Sequence, residues 1–182
     1  MNNEKIERKP AVFLDRDGVL SEEKSYICTL EDFAIFPYTK ECIKKIKEKG
    51  YLAIVVTNQS GVARGLFSEE ILQRMNSYLI EETGVDAVYY CPHHPQGKVE
   101  DYRKECNCRK PHTGMIEKAC QDFQIDMEKS YIVGDRASDI LLGQNAGVKT
   151  ILVESGYGTR GLEQEVTPDY IMKDLREVVD IL

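Results

Sequence analysis

Short apolar, β-rich runs alternate with helix-like stretches along this chain, and that alternation predicts an α/β fold: a doubly wound parallel sheet with helices on both faces. Three observations carry the prediction. Apolar runs of strand length recur at 11–14, 51–56, 85–90, 130–134 and 149–153. Between them, apolar side chains recur at the three-to-four-residue spacing of a helix. Gly50, Gly84 and Gly147 stand where three of those helices should stop.

Taken in order, AVFL (11–14) is the first strand, and a helix over 38–49 follows with Cys42, Ile43 and Ile46 on one face. YLAIVV (51–56) is the second strand. Ser68 can cap the next helix, whose face is Ile71, Leu72, Met75 and Leu79. VDAVYY (85–90) is the third strand, and 91–110 has no clear helix or strand. Pro111 should open a third helix carrying Met115, Ile116, Ala119 and Phe123. SYIVG (130–134), a helix over 137–146 and KTILV (149–153) come next. The glycine-rich GYGTRG (156–161) is read as an ordinary turn, and a short strand at 169–172 with a helix from Asp174 closes the chain. In this Rossmann-like arrangement ligands bind beyond the carboxyl ends of the strands. Asp15 and Asp17, Thr57 and Asn58, Cys91, and Asp135 all follow strands, so stretches distant in sequence converge on one edge of the sheet.

A length of 182 residues suits one core, hence one domain over 1–182. The 31 acidic residues outnumber the 24 basic ones, giving a net charge of −7 and no electrostatic footprint for nucleic acid or an anionic membrane. Neither a signal-peptide pattern in MNNEKIERKPAV nor a bilayer-length apolar run is present, so a cytoplasmic monomer is expected. Six cysteines in a reducing compartment point to metal ligation or catalysis where they cluster. Cys91, Cys106 and Cys108 cluster with histidines; Cys28, Cys42 and Cys120 are scattered, and the helical patterns around Cys42 and Cys120 suggest small buried hydrophobes.

In FLDRDGVL two carboxylates flank Arg16 at a strand end, with Asp15 and Asp17 two residues apart and so on one side. A calcium loop would need glycine and glutamate where Leu20 and Tyr26 stand. Paired carboxylates suit phosphoryl transfer instead, one attacking and the other carrying protons, provided a divalent cation and fixed donors offset their charge. Asp135 in VGDRASD can share magnesium with Asp15, with Asp139 four residues on; Thr57 and Asn58 in VTNQSG are neutral phosphate donors, and Lys110 adds a cation. From Cys91 to Cys108 the order is C-x-H, twelve residues, C-x-C. Three thiolates and one imidazole form a closed tetrahedral zinc set, and spacing leaves His93 and His94 both open as the fourth ligand.

DRDG, TN, Lys-Pro and GDRASD resemble, in order, the four motifs of the haloacid dehalogenase superfamily phosphatases, over about residues 11 to 180. CPHHPQG with CNCRKP is similar to its small branch without a large cap domain, whose substrates include a heptose 1,7-bisphosphate and histidinol phosphate. The resemblance implies a magnesium-dependent phosphatase of a small phosphorylated sugar, with Asp15 as nucleophile and Asp17 as acid and then base. It also implies magnesium on Asp15, Asp135 and the Asp17 backbone carbonyl, with the phosphoryl group on Thr57, Lys110 and the backbone amides after Asp15, Arg16 among them. Asn58 and Arg109 would reach the rest of the substrate. Structural zinc would sit on Cys91, His93, Cys106 and Cys108, the family's ligand position selecting His93.

Overall fold

The computed structural model describes residues 8–162 and 165–182; most of the amino-terminal stretch in which no signal peptide was read lies outside them. Eleven regular elements follow one another: β1 (Ala11–Leu14), α1 (Thr39–Glu48), β2 (Leu52–Asn58), α2 (Glu69–Thr83), β3 (Ala87–Cys91), α3 (Gly114–Asp122), β4 (Tyr131–Gly134), α4 (Ala137–Ala146), β5 (Lys149–Val153), β6 (Tyr170–Met172) and α5 (Leu175–Ile181). The six strands form one sheet in the order β3-β2-β1-β4-β5-β6, every neighbouring pair parallel.

Alternation along β1 divides the core into two layers. Val12 and Leu14 pack with the apolar faces of α1, α2 and α5, whereas Ala11 and Phe13 pack with Met115, Ile116 and Ala119 of α3. All four are fully buried, which is why the strand reads as an unbroken apolar run. Ser68 caps α2 through a bond from the Ile71 N–H, and Gly84 and Gly147 end α2 and α4 in the left-handed conformation, as expected. Cys42 is buried as expected, but Cys120 is exposed: its neighbour Ala119, not Cys120, takes the core position on α3.

The third helix departs from expectation. It starts at Gly114, three residues after Pro111, because residues 107–113 first fold into a turn. The Gly114 N–H donates to the Asn107 carbonyl and the His112 N–H to the Arg109 carbonyl, both at 2.9 Å. Pro111 follows a cis peptide bond inside that turn. Lys110 therefore does not sit on a helix N-terminus. Among the described residues, no helix is long and apolar enough to cross a membrane.

Candidate active site

β1 and β4 are the adjacent strands at which the sheet order reverses, and a crevice opens at their carboxyl ends. Asp15 continues β1, its N–H donating to the Val133 carbonyl at 2.9 Å, and Asp135 follows the last residue of β4. Carboxylate oxygens of Asp15, Asp135 and Asp139 all lie within 4.8 Å of one another. Oδ2 of Asp135 accepts the Tyr157 N–H at 2.8 Å, while its Oδ1 is buried without a partner. Two glycines make this possible. A Cβ on Gly18 or on Gly156 would collide with the Asp135 carboxylate, and Gly18 also has φ 88°. The GYGTRG loop, expected to be an ordinary turn, thus packs directly on the acidic cluster.

Crowding shows in the acidities. Burial first, then the Asp15 and Asp139 charges, pushes Asp135 up to about 8. Asp15 rises to about 6 because burial and Asp139 outweigh the nearby Lys110 ammonium. Lys110 is 4 % exposed. Its Nζ lies 2.9 Å from Asp15 and 2.6 Å from Asp139 and donates to the Val56 carbonyl at 3.0 Å. Burial alone would lower its pKa, and the two carboxylates raise it instead, so the ammonium is permanent. Asp139, which the sequence offered only as a helical neighbour of Asp135, is fully buried and serves as the second anchor of that lysine.

Asp17 has different surroundings. Its carboxylate accepts from Arg16 Nε at 3.0 Å and Nη2 at 2.9 Å, from Ser21 Oγ at 3.1 Å and from Gln59 Nε2 at 2.8 Å. Burial would raise its pKa; Arg16 above all, then Gln59 and Ser21, hold it below the usual carboxylate range. Two neighbouring carboxyls are thus driven apart, one up and one down. Arg16, expected to contribute through its backbone amide, does not line the pocket with its side chain. Its guanidinium is fully buried between Asp17, Asn76 and the Phe33 ring, and its N–H donates to Asp15 Oδ1 at 2.8 Å. Gln59 was missed. It bridges Asp17 and Thr57 Oγ1 (3.0 Å), and only its position two residues after Thr57 signalled it.

Asn58 lines the pocket and also holds the neighbouring loop. Its Oδ1 accepts the Lys110 N–H at 3.0 Å and its Nδ2 donates to the Lys110 carbonyl at 3.3 Å, so both halves of the amide clamp that backbone. Asn58→Ala should cost about 2 kcal/mol of stability through the two lost bonds. It should also lower kcat/KM by letting Lys110 drift; urea titration beside steady-state kinetics checks both, and an unaltered pair of values would refute the clamp.

Cys91, His93, Cys106 and Cys108 form the second cluster, all four ligand atoms within 4.8 Å of one another. Cys91 and Cys106 sulfurs are 3.5 Å apart, Cys106 and Cys108 3.2 Å, and His93 Nδ1 lies 3.3 Å from Cys108. His93 rather than His94 joins, because His94 Nδ1 accepts the Gln96 N–H instead. Bonding from Cys91, with Cys106 and His93, lowers the Cys108 thiol to about 5 against the effect of burial, while Cys91 is pushed up. A group of three thiols and an imidazole this close together could hold a soft metal ion. The loop it closes ends on Arg109, whose Nη1 donates to the His93 carbonyl at 3.4 Å.

A pocket of about 370 Å³ opens at the acidic cluster, with Asp15, Asp17, Thr57 and Lys110 among its lining residues. Arg109 and Arg136 also line it. Arg136 was not anticipated; it pairs with Glu23 at 3.1 Å and lies 4.0 Å over the Tyr157 ring.

A family model described as HAD-hydrolase-like matches residues 107–178. D-glycero-beta-D-manno-heptose-1,7-bisphosphate 7-phosphatase of Haemophilus ducreyi is 43% identical over 178 residues, covering 94% of this chain and 97% of its own. The D-glycero-alpha-D-manno-heptose-1,7-bisphosphate 7-phosphatase of Photorhabdus laumondii is 44% identical, covering 81% of this chain and 84% of its own. Among solved structures, the D,D-heptose 1,7-bisphosphate phosphatase of B. bronchiseptica, complexed with magnesium and phosphate, superposes with a TM-score of 0.81 at 29% identity. That alignment covers 94% of this chain and 97% of the other.

Proposed function

The chain belongs to the haloacid dehalogenase-like family of D-glycero-D-manno-heptose-1,7-bisphosphate 7-phosphatases, and on that premise we propose that it is a magnesium-dependent phosphoric monoester hydrolase removing the 7-phosphate of that sugar. The observation that carries the reading is a buried carboxylate, Asp15, held 2.9 Å from a buried ammonium beside a second carboxylate with an unpartnered oxygen.

Asp15 attacks phosphorus as the bond to the sugar oxygen breaks, and the departing oxygen takes a proton from Asp17. Asp17 is ionised in the free protein, so its proton is acquired as the anionic substrate displaces water beside it and raises its pKa. Once charged again, it removes a proton from water, which cleaves the aspartyl-phosphate and releases inorganic phosphate. Lys110 and Thr57 hold the phosphoryl oxygens throughout. Asp15 and Asp135 through carboxylates, and Asp17 through its backbone carbonyl, would hold magnesium; the unpartnered Asp135 Oδ1 and the crowding of charge fit a divalent cation there. Bound magnesium neutralises and polarises the phosphoryl oxygens.

Zinc is the metal we assign to Cys91, His93, Cys106 and Cys108. Three thiols and one imidazole, their ligand atoms all within 4.8 Å of one another, are a donor set that zinc would accept. With four protein ligands no position is left for water, so its role is structural. The net charge of −7 supports a small-molecule substrate over nucleic acid or membrane, and we place the chain as one cytoplasmic, monomeric domain over 1–182.

The test is phosphate release from both anomers of the heptose bisphosphate and from histidinol phosphate, with and without magnesium. Magnesium-dependent preference for a heptose bisphosphate is expected; equal or better turnover of histidinol phosphate would overturn the assignment.

Acidity gives a second check. Asp15 and Asp135 titrate higher in the folded metal-free chain, near 6 and 8, than in an unfolded one. Between about pH 4 and 8 the folded state therefore binds more protons than the unfolded state, and stability falls as pH rises through that window. Magnesium competes with those protons, so its melting-temperature increment over EDTA should be larger at pH 8 than at pH 5, and should shrink in Asp135→Asn. Equal increments at both pH values would refute the site.

A further inference from the structure

Asn76 of α2 is 6 % exposed, and only half of its amide is used. Its Oδ1 accepts from Arg16 Nη1 at 3.3 Å, while its Nδ2 has no partner among the described residues. A buried amide with a bond left unmade costs stability where an apolar side chain would not, so packing alone does not account for it. What the used half does is fix Arg16. That guanidinium is fully buried, and its nitrogens divide between two partners: Nε and Nη2 donate to the two oxygens of Asp17 at 3.0 and 2.9 Å, and Nη1 goes to Asn76. Phe33, from the segment between β1 and α1, places its ring 4.8 Å from the guanidinium carbon. Asp17 lines the reaction pocket, whereas Arg16, Asn76 and Phe33 do not. The carboxylate that handles protons is therefore held from outside the pocket by a planar fork, and α2 and the Phe33 ring set the plane of that fork.

We infer that Asn76 is a positioning residue: through Arg16 it aims the Asp17 carboxyl at the oxygen that leaves and at the water that follows. The inference rests on the phosphatase reading above and goes beyond it by assigning a role to a residue outside the pocket. A bidentate fork fixes both the place and the plane of a carboxylate. Without the Asn76 oxygen, Nη1 is buried with no acceptor, and the fork turns to find one, carrying Asp17 with it. A displacement of about 1 Å at a reacting group is enough to cost about 10²-fold in rate.

The two chemical steps make different demands on Asp17. In the first, an Asp15 oxygen bonds to phosphorus, the bond from phosphorus to the sugar oxygen breaks, and the electron pair left on that oxygen takes up the Asp17 proton. In the second, water adds to phosphorus, its proton passes to Asp17, and the electron pair of the broken bond returns to the Asp15 carboxylate. Acetyl phosphate needs no acid in the first step, because acetate departs as a stable anion, but it still needs the base in the second.

The experiment measures kcat/KM for the heptose bisphosphate and for acetyl phosphate, with the pre-steady-state release of acetate, in wild type, Asn76→Leu, Asn76→Asp and Phe33→Leu. Asn76→Leu should lose tenfold or more in kcat/KM on the sugar phosphate and less than threefold on acetyl phosphate. With acetyl phosphate it should also show a burst of about one acetate per enzyme, as phosphoryl-enzyme accumulates ahead of the slowed second step. Asn76→Asp keeps an acceptor for Nη1 and should recover most of the loss. Equal losses on the two substrates would overturn the role, since general damage to the site does not distinguish leaving groups. So would a loss below threefold on the sugar phosphate. If Asn76→Leu does not fold, Phe33→Leu, which uncovers one face of the guanidinium, decides by the same two criteria. A wild type that releases phosphate from neither compound would refute the phosphatase reading itself, and this role with it.

Discussion

Asp15→Asn should lower phosphate release by at least about 10⁴-fold while leaving the fold intact. An amide cannot form the aspartyl-phosphate, so the two-step route is closed; a 10⁴-fold loss corresponds to about 5.5 kcal/mol of transition-state stabilisation. The change is isosteric, and Lys110 keeps its contacts with Asp139 and the Val56 carbonyl. It also removes one of three crowded carboxylates, so the metal-free protein should melt within a few degrees of wild type. Loss of activity with retained melting separates chemistry from folding. Substantial turnover in Asp15→Asn, on any substrate of the panel, would refute the nucleophile.

The sheet and most helix limits were legible because they rest on periodicity and capping, which are local. β1 and β5 stand at 11–14 and 149–153, and α4 at 137–146, where the apolar runs and Gly147 put them. The reactive edge was legible for a related reason: carboxylates at the ends of buried strands have to meet at one crevice. Partnerships formed across the fold were not. Asn58 and Lys110 are 52 residues apart, and nothing near either announces that one clamps the backbone of the other. Asp139 resembled a surface helix residue because its partner Lys110 comes from another loop. Arg16 is charged and next to the nucleophile, yet Asn76 and Phe33, both distant in sequence, complete a buried niche for it. The delayed start of α3 has the same origin, since Gly114 bonds back to Asn107 before the helix can begin. Composition exposed which groups are chemically unusual; tertiary contacts decided which of them face the substrate.

Stripping zinc from the site proposed at Cys91, His93, Cys106 and Cys108 should lower the melting temperature by on the order of 10 °C, the shift expected for about 3–4 kcal/mol in a domain of this size. Within 91–110 the regular structure is one turn of 3₁₀ helix at Glu100–Tyr102, so the loop has little of its own to hold it. Its other ties to the fold are at its two ends and at single points: the Gln59 N–H to the Cys91 carbonyl at 2.8 Å, the Asn58 clamp on Lys110, the bonds between Ala63 and residues 92, 98 and 99, and the Tyr102 hydroxyl to Glu69 at 2.6 Å. Zinc on four ligands drawn from both ends of the loop would add a cross-link between them, and its binding energy would become local folding energy. Asp15 and Asp135 follow β1 and β4, so the backbone that carries them does not belong to the loop. Amides in 91–110 should accordingly lose hydrogen-exchange protection on zinc-selective chelation while those of the central strands keep theirs, and magnesium should still raise the melting temperature. Cys106→Ser should reproduce the effect and raise KM, because Arg109 and Lys110 follow the closing ligand Cys108 directly. If chelation left both loop exchange and melting unchanged, the four residues would not be a structural metal site. If it abolished the magnesium response, the two metals would not be separable in the way the geometry requires.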